Sequence, residues 1–129
     1  MTDTDIQLQR AHIDAINDKL WYSRGMYEPG FDPVAVAHET YEKAKELGYE
    51  TGVSRSLINI GLGTFIVSHN TYASLQQIRD AQELFLKAND KRWIANSFST
   101  IGIIENTSGS KKEALYNALK GVGYYEETG

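Results

Sequence analysis

Apolar residues recur along this chain every three or four positions, with polar residues between them, which is the pattern of amphipathic helices. Asp3 or Thr4 is placed to cap a first helix, on which Ile6, Ile13, Ile16 and Leu20 share a face up to about Ser23. Gly25 to Asp32 is rich in turn formers and reads as a loop. Asp32-Pro33 then starts a second helix, because Asp accepts from free N–H groups and Pro needs no donor there. Its stripe is Val34, Ala37, Tyr41 and Ala44, and Gly48 suits the left-handed residue that ends it. Helix three, about Thr51 to Ser68, is apolar on two sides. Leu57, Ile60 and Thr64 form one face, and Ile58, Leu62, Phe65 and Ile66 the other, which predicts neighbours on both.

Asn70-Thr71 offers a turn and a cap, after which Leu75, Ile78, Ala81, Phe85 and Ala88 mark helix four. Asn89-Asp90 breaks the chain, and helix five runs from about Lys91 to Thr107 with Ile94, Phe98, Ile101 and Ile104 inward. Ser110 and Glu113 have capping-box spacing, so helix six begins there with the stripe Leu115, Ala118, Leu119, Val122 and Tyr125. No stretch alternates with period two for long enough to be a strand. The expectation is all-α, with six helices joined by short turns.

The chain also repeats itself. Arg55-Ser56-Leu57-Ile58-Asn59-Ile60-Gly61 is echoed 41 positions later by Asn96-Ser97-Phe98-Ser99-Thr100-Ile101-Gly102. Leu115 answers Leu75, and Tyr125 to Gly129 answers Phe85 to Asn89, at an offset of 40. The one-residue change falls in the turn near His69 to Thr71, where a length difference is tolerated. Each unit is then a helix hairpin, and a fixed period in the range of ~20–50 residues is the mark of stacked repeats. Gly61 and Gly102 lie inside helices, where Gly costs about 1 kcal/mol against Ala, so they imply close approach of the partner helix. Ala73 and Ala114 are the small residues expected opposite them.

The apolar-x-x-Ile-Gly motif, the small Ala early in the next helix and a period near 40 resemble the tetratricopeptide repeat, in the longer variant found in bacterial signalling proteins. Asn59-Ile60-Gly61, Lys112-Glu113-Ala114-Leu115 and Tyr125 to Gly129 carry the likeness, over residues 33 to 129. The resemblance implies a single domain over 1–129, a right-handed superhelix of three antiparallel hairpins: a divergent hairpin at 1–50 and repeats at 51–89 and 90–129. It also implies a concave groove for a peptide or partner segment. The motif maps Arg55, Ile58, Asn59 and Leu62 from helix three onto that groove, with Asn96, Ser99, Thr100 and Ile103 from helix five. Asn59 is the sharpest of these, since an amide both donates to and accepts from an extended backbone. Asp14, Asp18 and Trp21 are candidates to join from helix one.

Length and charge narrow the partners. The 129 residues suffice for one domain with a real core. A net charge of −4 and scattered Lys and Arg argue against nucleic acid, and no apolar run suits a membrane span. The acidic start lacks signal-peptide order and there are no cysteines, which fits a cytoplasmic setting. His12, His38 and His69 are dispersed, so no zinc site is expected. Gly61-Leu62-Gly63 lies within a helix and is no dinucleotide fingerprint, and no nucleophile–base pair can be named. The expectation is a protein-binding module of a signalling protein, not an enzyme, with no cofactor and no small-molecule substrate. By analogy it would be fused to an output domain such as a diguanylate or adenylate cyclase, a histidine kinase or a phosphatase. The alternative is a homodimerisation module that uses an uncapped helix-six face of Leu119, Val122 and Tyr125, where Gly121 and Gly123 permit close packing.

Overall fold

In the computed structural model, residues 1–128 are described, and Gly129, the last residue of the repeat motif, lies outside them. The described residues form six α-helices and no strand: α1 (Asp3–Tyr22), α2 (Pro33–Leu47), α3 (Glu50–Ser68), α4 (Thr71–Lys87), α5 (Lys91–Thr107) and α6 (Lys111–Thr128). None of them is long and apolar enough to cross a membrane.

The helix starts follow from capping chemistry. Asp32, Asn70 and Asp90 each accept from the backbone N–H three residues on, at 3.0, 3.1 and 3.3 Å. The first helix is capped by Thr2, not by Asp3 or Thr4, through a reciprocal box with Asp5. Gly48 ends α2 in the left-handed region at φ 68°.

Each helix packs on the next, and α3 also touches α1 and α5. The two faces read on α3 find separate neighbours. Ile60 joins Leu20 of α1 and Ala37 of α2, roofed by Tyr27 and Phe31 of the α1–α2 loop. Ile58 turns the other way, into a core with Trp21, Ile78, Phe85, Trp93 and Ile94. Leu57 borders both clusters.

Gly61 and Gly102 are where the hairpins close. A Cβ on Gly61 would lie 2.5 Å from Ile78 Cγ1 and 3.1 Å from the Ser74 carbonyl oxygen. On Gly102 it would lie 3.1 Å from the Ala114 carbonyl oxygen. Ala114 is thus opposite its glycine as expected, but Ser74 takes the place expected for Ala73. The reason is where the first helix of each hairpin stops: α3 runs seven residues past Gly61 and α5 only five past Gly102, and a turn of three residues instead of two makes up just one of the difference. The offset of 40 governs the whole second helix of each hairpin, so Ser74 matches Ala114.

On α6 the buried residues are Ala114 and Gly121, while Leu115, Leu119 and Val122 of the expected inward stripe are exposed. Gly121 packs on α5, where its Cβ would lie 2.8 Å from Ser99 Oγ.

Gly61→Ala is expected to lower stability by about 1–3 kcal/mol through overpacking against α4. Urea denaturation of Gly61→Ala, Ile78→Ala and the double variant should show the double losing less than the sum, because removing Cγ1 relieves the clash.

Candidate binding face

Arg55, Ile58, Asn59 and Leu62 recur at steps that place them on one side of α3, and Asn96, Ser99, Thr100 and Ile103 do the same on α5. The structure uses most of these side chains internally. Ile58 has no exposed surface and belongs to the core. Arg55 is buried, its Nη2 is 2.8 Å from Asp18 Oδ1, and its guanidinium stacks 4.3 Å from the Trp93 ring centre. Asp14 accepts from the Tyr49 hydroxyl at 2.8 Å. Trp21 meets Trp93 edge to face at 5.0 Å. Two of the charged groups offered to a ligand on sequence grounds, Arg55 and Asp18, therefore neutralise each other.

Asn59 is committed as well. Its Nδ2 donates to the Asn17 carbonyl oxygen at 3.1 Å and to Asn17 Oδ1 at 3.0 Å. Ser56 donates to the same Oδ1 at 3.2 Å. Asn17 is fully buried and is the hub of this network, and sequence reasoning missed it. The available signal was its place between Ile13 and Leu20, a polar residue in the apolar stripe of α1. Asn59 Oδ1 stays buried without a partner, a desolvated acceptor that raises the stake on the bonds its nitrogen makes. On α5, Asn96 Oδ1 accepts from the Tyr125 hydroxyl, and the buried Thr100 hydroxyl donates to the Asn96 carbonyl oxygen at 2.8 Å. Tyr125, expected on a free face, is thereby tied to α5.

Leu62, Ser99 and Ile103 keep accessible surface. Leu62 and Ile103 border a recess of about 220 Å³ among α1, α3 and α5, lined also by Trp21, Phe65, Ile66 and Ile104. Arg24, exposed and with φ 53°, stands at its edge with its guanidinium 5.9 Å from the Trp21 ring centre. The recess is apolar with one cation at the rim. His12 lies instead in a separate recess between α1 and α2, and His69 packs edge-on to Phe65 at 5.9 Å. No group of three or more metal-ligating side chains converges among the described residues.

Comparison with protein-family models, with curated proteins and with solved structures gives no match to this chain.

Two outcomes follow from the polar network. Asn59→Ala should lower stability by about 1–3 kcal/mol in urea denaturation, because it leaves Asn17 short of a buried donor. The Tyr49 phenol is pushed from 10.0 up to about 12, first by burial and then by the bond to ionised Asp14. Its neutral form is favoured in the folded chain, so that contribution is complete below pH 10 and lost as pH rises towards 12. Denaturation at a series of alkaline pH values should show a larger loss in the wild type than in Tyr49→Phe, which keeps only the smaller share of the buried Tyr27 phenol.

Proposed function

We propose that this chain is a tetratricopeptide-like binding module, in which the face shared by α1, α3 and α5 receives a segment of a partner protein. The observation that carries this reading is the apolar recess bordered by Leu62 and Ile103 with Arg24 at its rim. Such a recess accepts one bulky apolar side chain, and the guanidinium favours a carboxylate beside it. Repetition of the glycine-closed hairpin supports a stack of like units, the superhelix that the motif implies, with the first helices of the hairpins side by side. Asp14, Asp18 and Arg55 are engaged with other side chains of the chain itself, which leaves the apolar recess as the open part of this face. In a signalling protein of the kind the motif resembles, occupancy of this face would be the input to a fused output domain.

Selection from a displayed random-peptide library tests the reading. Enriched peptides should carry a large apolar residue next to Asp or Glu. Ile103→Glu should weaken a selected peptide at least about tenfold, the scale of burying an unpaired carboxylate against an apolar group, and should leave the melting temperature nearly unchanged. Arg24→Glu should shift selection away from acidic peptides. Peptides that bind all three proteins equally would overturn it.

A further inference from the structure

The α5–α6 hairpin repeats α3–α4, but what covers the two is different. On α4, Ile78 and Phe85 are fully buried in the core with Trp93, Ile94 and Ile101 of α5. Their counterparts at an offset of 40 are Ala118 and Tyr125 of α6, both exposed. An open groove of about 460 Å³ remains between α5 and α6, lined by Ser99, Gly102, Ala118 and Val122 among others. It is the next place in the row after the one that α5 fills.

The α5 side chains in that core or packed against it include Ile94, Phe98, Ile101 and Ile104, at steps of four, three and three. Leu115, Leu119, Val122 and Tyr125 on α6 have the same steps, and Leu115, Leu119 and Val122 are each more than half exposed. Thus α6 carries both a wall of the groove and a stripe of the spacing that fits one.

Two further features lie beside Leu119 on the outer side of α6, opposite Ala114 and Gly121, which face α5. Lys112 and Glu126 sit in line with the stripe, seven residues to either side of Leu119. A Lys near the N-terminus and a Glu near the C-terminus oppose the helix dipole, so α6 alone gains nothing from this order. Gly123 lies inside the helix, yet a Cβ there would meet nothing within 4 Å. Its own chain therefore gives no packing reason for a residue that weakens the helix. It lines an outer recess of about 520 Å³ beside Tyr116 and Leu119.

We propose that α6 binds α6 of a second copy of this chain, antiparallel, about a two-fold axis at Leu119. That register sets Lys112 of each copy beside Glu126 of the other. It lays Leu115 over the bare backbone of the second copy's Gly123 and places Tyr116 beside its Val122. The interface is isologous, and the two α5–α6 hairpins become a four-helix unit.

Sedimentation velocity on the full 129-residue chain should show a dimer, and Leu119→Glu should be a monomer of unchanged helicity. Lys112→Glu and Glu126→Lys alone should each weaken the dimer by about tenfold or less, since the two-fold turns each single change into two like-charge contacts between exposed groups. The double variant Lys112→Glu/Glu126→Lys should recover wild-type affinity, because the residues are too far apart within one helix to meet except across the axis. A monomeric wild type overturns the proposal and leaves the face to another protein's helix. So does a dimer indifferent to Leu119→Glu, or a double variant as weak as the singles.

Discussion

Absence of a side chain at Gly61 and Gly102 sets the distance at which each helix pair closes. With a Cβ at Gly61 the wall of α4, formed there by Ile78 and the Ser74 carbonyl, would have to retreat from α3. Retreat would open the layer beneath, where Ile58, Ile78, Phe85 and Trp93 fill space from three helices at once. Protein interiors pack at crystal-like density, so a shift of a few tenths of an ångström there propagates to every neighbour. The twin apolar faces of α3 depend on the same spacing, because Ile58 and Ile60 are seated by helices on opposite sides.

Helix boundaries were legible because they are written in local chemistry. Asp32, Asn70 and Asp90 cap the helices they precede, and each needs only its own next three residues to do so. The two faces of α3 were legible for a related reason, since periodicity alone assigns a direction to each side chain. What sits across from a residue is not local. Asn59 and Asn96 stand at positions that point towards the helices beside them, and sequence spacing does not distinguish a polar group offered to a visitor from one spent on Asn17 or Tyr125. Ser74 in the place of Ala73 is the same lesson at smaller scale. The repeat offset contained the answer, but the change from 41 to 40 had to be applied from the turn onward.

The face formed by α1, α3 and α5 is therefore rigid where it is polar and open where it is apolar. Arg55 is held by Asp18 and Trp93, and Asn59 by Asn17, so the polar half is a clamp between helices. Truncating one partner of such a network leaves a buried group desolvated, which makes these residues costly to change for reasons of stability alone. Leu62 and Ile103 have surface to spare.

The two tryptophans of the chain lie together, with ring centres 5.0 Å apart at an angle of 67°. Trp21 comes from α1 and Trp93 from α5, and the guanidinium of Arg55 on α3 covers the second. Both indoles consequently see one seam of the molecule, and their near-ultraviolet transitions couple with each other. Tryptophan fluorescence excited beyond the tyrosine band becomes a local gauge of whether α1, α3 and α5 remain in contact. Tyr116, Tyr124 and Tyr125 of α6 give that helix a tyrosine signal of its own.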